Sequence, residues 1–218
     1  MGKLFNLDSP FMQFMNRVAD LMWLNILFVI CCIPVITIGA STTALYDVSL
    51  HLVLDDRSGI VLNFLRSMKR NFGRATLVWL LFIASGLFLG TDLWAAVHWD
   101  APFRIVPVFL ILAACWFWMA AYTHTFAGLA WFDGKPLDVL KKSFMLAMKN
   151  GIFTMFIILL NIIPLIFLAR RFTSDSFGQW LIFYLLIGKG TVAYLSSLHL
   201  ARLFAPVEWK EKMKDMDT

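Results

Sequence analysis

Residues 105–132 read IVPVFLILAACWFWMAAYTHTFAGLAWF and contain no aspartate, glutamate, lysine or arginine. A bilayer core about 30 Å thick is crossed by about 20 helical residues, so this stretch is long enough to span it. A helix of a soluble protein would carry a polar face, and this stretch shows none. It therefore predicts a membrane-spanning α-helix, which sets the fold class for the rest of the chain.

Four further apolar blocks have the length of a membrane span. They are residues 21–38, 75–97, 152–169 and 180–201, and their only charged side chains are Asp92 and Lys189. The chain of 218 residues is 60% hydrophobic and 15% charged, whereas about a quarter of the residues in a soluble domain are charged. We therefore predict an all-α, polytopic membrane helical bundle.

Basic, amphipathic stretches stand directly before three of the apolar segments. Each ends in a similar short sequence: Met15-Asn16-Arg17, Met68-Lys69-Arg70-Asn71 and Met148-Lys149-Asn150. Apolar residues at helical spacing within these stretches are typical of helices that lie in the membrane interface. Two interpretations remain open, namely one unit used three times and three independent basic helices beside membrane spans.

The repeat interpretation predicts a single membrane domain over residues 1–218 with three units, each an elbow helix followed by a hairpin of two spans. The units cover about residues 8–56, 59–132 and 136–206, and residues 207–218 form a cytoplasmic tail. The first unit then needs a short second segment at 40–54. This gives about six membrane segments, of which five are long and one is short.

The short segment at 40–54 contains Asp47 and His51, and hydropathy alone gives five spans. The basic residues favour six crossings, because most of the 19 lysines and arginines then fall on one side of the membrane. The positive-inside rule identifies that side as the cytoplasm. We therefore predict a multi-pass plasma-membrane protein with both termini in the cytoplasm, in which 40–54 is a shielded crossing or a re-entrant segment.

Asp47 and Lys189 are the first charged residues to consider among those within predicted membrane segments. Such residues are costly in a bilayer and usually face the interior of a helix bundle. In the six-span arrangement both lie near mid-depth, which allows an ion pair between them. The alternative is that Lys189 extends toward the nearer interface while Asp47 contacts water at the rim of the bundle. Asn25 and Asn161, also within apolar segments, are predicted to bond between helices.

Sequence motifs of catalysis or metal binding are absent. His124 and His199 stand near the predicted cytoplasmic ends of their segments and His51 lies low on the short segment, which allows a histidine cluster on that side. None has the spacing of a metal site, so we expect interfacial histidines and no metal or cofactor. No hydrolase elbow or dinucleotide loop is present, so we expect no enzyme. The short basic clusters indicate membrane topology rather than nucleic-acid binding.

The N-terminal third carries several distinctive sequences. They are Phe5-Asn6-Leu7-Asp8-Ser9-Pro10, Asn16-Arg17-Val18-Ala19-Asp20-Leu21, Pro34-Val35-Ile36-Thr37-Ile38-Gly39-Ala40 and Arg70-Asn71-Phe72. Over residues 1–75 they resemble the YesL-like family of bacterial integral membrane proteins, whose function is unknown and whose genes often stand beside those of carbohydrate ABC importers. The rest of the chain is similar to that family in length and hydropathy only.

The resemblance implies a role near sugar uptake and supplies no catalytic or binding residues. We expect an accessory or regulatory subunit that contacts the ABC permease subunits and their shared ATPase, and also membrane lipids. The candidate contact residues lie on the basic faces: Arg66, Lys69, Arg70, Lys141 and Lys142. The alternative is a stand-alone small-solute transporter or channel that uses Asp47 and Lys189.

Overall fold

The computed structural model describes residues 10–54, 59–98, 103–170 and 188–204, and the regular elements in these ranges are all helical. They form seven α-helices, which are α1 (Pro10–Cys31), α2 (Ile38–Val53), α3 (Ile60–Val97), α4 (Ile105–Trp131), α5 (Pro136–Lys149), α6 (Gly151–Arg170) and α7 (Lys189–Phe204). One turn of 3-10 helix, Val35–Thr37, precedes α2. The predicted all-α class is confirmed for this part of the chain.

Three of the helices, α1, α3 and α4, are long and apolar enough to cross a membrane. The pair α5 and α6, bent by 103°, would make a fourth span if it counted as one. α2 and α7 have 16 residues each, or about 24 Å, which is less than the bilayer core of about 30 Å. Residues 180–187 of the last predicted span lie outside the described residues.

Only the third unit has an elbow in the described residues. α3 has 38 residues and continues without a break past Asn71, where we expected an elbow helix to give way to a span. α1 likewise continues past Arg17 as one helix of 22 residues. Neither position has a proline, which is the residue that most strongly breaks a helix.

The bend between α5 and α6 has a local cause. Asn150, which follows the last residue of α5, leaves the helical region with φ −114° and ψ 46°, and α6 begins at Gly151. The side-chain amide of Asn150 donates to the backbone carbonyl of Leu146 at 3.0 Å. The backbone carbonyl of Asn150 accepts from the backbone amide of Thr154 at 2.9 Å. The turn thus satisfies backbone groups that the end of α5 and the start of α6 leave unpaired.

α2 is the most enclosed helix of the described residues. All of its residues except Ile38 and His51 are buried, and it packs against α1, α3, α4 and α7. Leu45 and Leu50 lie in the main hydrophobic core with Phe64 of α3 and Phe126 of α4. Residues 40–54 are therefore shielded by protein, as both a short crossing and a re-entrant segment require.

Contacts between neighbouring helices give their relative directions. Four helix pairs run antiparallel: α1 with α2, α2 with α3, α3 with α4, and α6 with α7. The contacts that define these directions are Arg17 to Leu52, Cys31 to Ser41, Gly39 to Ala75, Asp47 to Arg70, Arg74 to Gly134, Ser85 to Trp118, Phe153 to His199 and Asn161 to Lys189. The described helices of each predicted hairpin therefore alternate in direction along the chain.

Gly39 lies where α2 meets α3. A β-carbon built on this glycine would lie 2.5 Å from the carbonyl oxygen of Ala75 and 2.6 Å from the β-carbon of Trp79. Both neighbours belong to the body of α3 and cannot move as a flexible side chain does. The contact therefore requires glycine at this position.

We expect Gly39→Ala to destabilise the protein by about 1–3 kcal/mol, because the added methyl group overpacks the α2 and α3 contact. Thermal unfolding of the purified protein in detergent measures the effect. Gly73→Ala on α3 is the matched control, since a β-carbon added at Gly73 would have no atom within 4 Å and alanine favours a helix. Equal melting temperatures for the two variants would contradict the close contact.

Candidate functional site

Asp47 on α2 forms the main buried charge cluster of the described residues. Its Oδ2 lies 3.4 Å from Nη2 of Arg70 on α3, and its Oδ1 lies 3.8 Å from Nε2 of His51. The Asp47 side chain is 10% exposed, whereas that of Arg70 is 57% exposed. Burying an unpaired carboxylate is costly, so the Arg70 guanidinium compensates for the enclosure of α2.

Arg17 on α1 contacts both α2 and α7. The Arg17 guanidinium donates to the carbonyl of Leu52 and lies 5.7 Å from the ring centre of Tyr194 on α7. Leu52 is in the last turn of α2, where carbonyl groups lack helical partners and the helix dipole favours a cation. Arg17 thereby stabilises the C-terminal end of the buried helix.

Arg74 connects α3 to the segment between α4 and α5. Its Nη1 donates to the carbonyl of Gly134 at 3.2 Å, and its Nη2 donates to Oδ1 of Asn71 at 2.5 Å. Its guanidinium also lies 3.8 Å from the carboxylate of Asp133. The conspicuous basic sequences of the first two units therefore contain residues that hold helices together, a role that their sequence pattern did not indicate.

Lys189, at the start of α7, makes a polar contact that is separate from the Asp47 cluster. Its Nζ donates to Oδ1 of Asn161 on α6 at 2.5 Å. The adjacent amide of Gly190 donates to Oδ1 of Asn25 on α1 at 2.8 Å. Both asparagines therefore bond between helices, as predicted. Gly190 also permits a close approach, since a β-carbon there would lie 3.0 Å from the carbonyl oxygen of Leu21.

Of the two arrangements that the sequence left open, the structure does not show the ion pair between Asp47 and Lys189. Asp47 pairs with Arg70 and His51, whereas Lys189 bonds to Asn161. The prediction used depth along each helix and could not include the rotation of each helix about its axis. That rotation directs the two charges to different neighbours.

The five candidate contact residues differ in their surroundings. Arg66, Lys69 and Arg70 lie on one face of α3, and all three are exposed. Of these, Arg70 has a structural partner in Asp47. Lys141 and Lys142 are exposed on α5, where Nζ of Lys142 lies 5.7 Å from the ring centre of Phe132.

His124 lies on α4 and His199 lies on α7. His124 is 1% exposed, so it lies among the helices and not on their surface. Its Nδ1 is 3.3 Å from both the carbonyl of Ala120 and Oγ1 of Thr123, while the His199 ring stacks on Phe153 at 3.5 Å. His51 belongs to the Asp47 cluster.

Several buried polar atoms lack a hydrogen-bond partner within the described residues. They are Nε2 of His124, Nε2 of His199, and the hydroxyls of Ser49, Ser143 and Ser197. Sequence reasoning did not single out the serines, since serine in an apolar segment is common in membrane helices. The described residues contain no group of three histidine, cysteine, aspartate or glutamate side chains placed to hold a metal ion.

We expect Asp47→Asn and Arg70→Gln to be coupled in a double-mutant cycle of stability in detergent. Either change alone leaves one partner of a partly buried pair without the other. The double variant should therefore lose about 0.5–1 kcal/mol less stability than the sum of the losses in the two single variants. Asp47→Asn combined with Lys189→Met should be additive. Coupling in the second cycle and additivity in the first would contradict the arrangement.

Comparison with known proteins matches part of the chain to a protein family. The sequence model of the family described as "Protein of unknown function, DUF624" matches residues 21–93. No curated protein and no solved structure matches the chain. The matched region contains α2, the Asp47 and Arg70 pair, the second half of α1 and most of α3, and it ends before Lys189. The region with the most enclosed helix thus corresponds to a domain of unknown function.

Proposed function

We propose that the protein is a plasma-membrane protein with six crossings and both termini in the cytoplasm. The alternating directions of the described helices support this topology, since a chain that crosses repeatedly must reverse each time. The enclosure of α2 also supports it, because a short helix containing Asp47 can lie in a bilayer only when protein shields it. The basic residues then concentrate on the cytoplasmic side.

We further propose that the protein is an accessory or regulatory subunit of a carbohydrate ABC importer and has no catalytic role. The resemblance to the YesL-like family supplies the importer as the partner. The observation that supports docking is the basic face of α3. Arg66 and Lys69 are exposed there, and neither makes an ion pair within the described residues. They are available to a partner, whereas Arg70 is engaged with Asp47.

The stand-alone transporter is the less favoured function. It requires Asp47 and Lys189 to meet a solute or a coupling ion. In the structure Asp47 is paired with Arg70, Lys189 is bonded to Asn161, and α2 is packed along nearly its whole surface. These contacts favour a structural role for both charges.

Affinity purification of the tagged protein from native membranes in mild detergent, followed by quantitative mass spectrometry, tests the docking proposal. We expect permease subunits in stoichiometric amounts with the unaltered protein. Arg66→Glu combined with Lys69→Glu should lower their recovery by about tenfold, which corresponds to about 1.4 kcal/mol of binding free energy. Like charges introduced at the contact would repel an acidic partner surface.

Arg104→Glu is the matched control, because Arg104 is also exposed but precedes α4 on the predicted opposite side of the membrane. It should leave recovery unchanged. The proposal fails if the unaltered protein brings down no permease subunit under conditions that keep permease subunits associated with each other. It also fails if the Arg104 variant loses the partner as strongly as the α3 variant.

A further inference from the structure

A groove of about 510 Å³ lies between α3, α4 and α5. Its walls include Val78, Leu81 and Phe82 of α3, and Leu140, Lys141 and Phe144 of α5. The volume lies in the range of about 300–1,000 Å³ that is typical of ligand pockets. All of the groove's lining side chains except those of Ser85 and Lys141 are apolar, so it suits an apolar ligand with one negative group.

Among the described residues, Lys141 is the only charged one that lines the groove. It is exposed, and no acidic side chain in the described ranges pairs with it. The adjacent Lys142 differs, since its Nζ lies near the ring of Phe132 and outside the groove. An ammonium group beside apolar walls attracts a phosphate more strongly than one surrounded by water, because the apolar surroundings lower the local dielectric.

The position of the groove along α3 matches the edge of a membrane. Arg74, which pairs with Asp133, lies one helical turn before Val78. The apolar half of α3 begins at this point and continues to Val97. The groove therefore starts at a polar boundary and extends along the apolar part of the helix.

α5 has the properties of a helix that lies in the membrane interface. It is bent by 103° from the following segment of α6, so it lies nearly in the membrane plane if α6 crosses the bilayer. Leu137 and Met145 are 60% and 72% exposed, whereas Val139 is buried against the bundle. An amphipathic basic helix with exposed apolar side chains is typical of contact with lipid.

We propose that this groove binds one acyl chain of an anionic phospholipid, whose phosphate group is held by Lys141. The apolar walls accommodate the chain, and the unpaired ammonium group complements the phosphate. A lipid is the favoured occupant, because α5 presents exposed apolar side chains at the membrane edge, where anionic lipids supply phosphate groups. The lipid site requires only that the protein be inserted in a membrane, so it does not depend on the importer association.

Native mass spectrometry of the delipidated protein with added phosphatidylglycerol or phosphatidylcholine tests the site. We expect one phosphatidylglycerol to bind in preference to phosphatidylcholine. Lys141→Ala should lower that preference by about fivefold, the ratio expected for about 1 kcal/mol per lysine near a lipid phosphate. Lys142→Ala is the matched control and should retain the preference.

Equal phosphatidylglycerol preference in the unaltered protein and the Lys141 variant would overturn the site, as would an equal loss in the Lys142 variant. Inorganic phosphate at the same concentration should not displace the lipid; displacement would show that the acyl chain contributes nothing. A photo-crosslinking residue at position 144, activated in cells, should yield lipid-sized adducts. Adducts of protein size instead would identify a partner span as the occupant and overturn the lipid proposal.

Discussion

The enclosure of α2 is the constraint on which the rest of the structure depends. This helix contains an aspartate and several hydroxyl side chains, yet nearly all of it is buried. Thr42 and Thr43 are satisfied locally, since their hydroxyls donate to the carbonyls of Ile38 and Gly39 at 2.7 and 3.0 Å. Asp47 lies 3.8 Å from His51 on its own helix, and its closer partner is Arg70 of α3 at 3.4 Å. The surrounding helices are thus arranged to cover one short polar helix that could not be exposed to lipid.

The composition and apolar blocks were sufficient to predict the helical class and the long segments α3 and α4, because spanning length and hydropathy are local properties. The first span was predicted to continue to residue 38, but α1 ends at Cys31. The carbonyl oxygen of Cys31 accepts hydrogen bonds from the hydroxyls of Thr37 and Ser41 at 2.5 and 3.1 Å. A proline at 34 could have indicated this earlier end, since proline does not continue a helix. A sequence shows that an apolar run forms a helix more clearly than it shows where that helix ends.

The candidate site was predictable in its residues but not in its partners. Asp47 and Lys189 stood out because they are charged within apolar segments, and both make specific contacts. Their partners depend on how each helix is rotated about its axis and on which helices are neighbours, and neither follows from hydropathy. The same limit explains why the roles of the basic residues on α3 could not be told apart from the sequence. Arg70 and Arg74 serve the fold, whereas Lys69 faces outward, and all three look alike in a sequence pattern.

The unbroken course of α3 fixes the register between two separate contact surfaces. Its first half presents Phe64 and Asn71 to the interior, and its second half presents Val78 and Phe82. Each residue of an α-helix advances by about 100° around the axis. One residue inserted between these halves would therefore turn one buried face by more than a quarter of a revolution relative to the other. Evolution of this helix can exchange side chains on its outer face without disturbing the core, but it cannot change the number of residues between the two surfaces without turning one of them away from its neighbours.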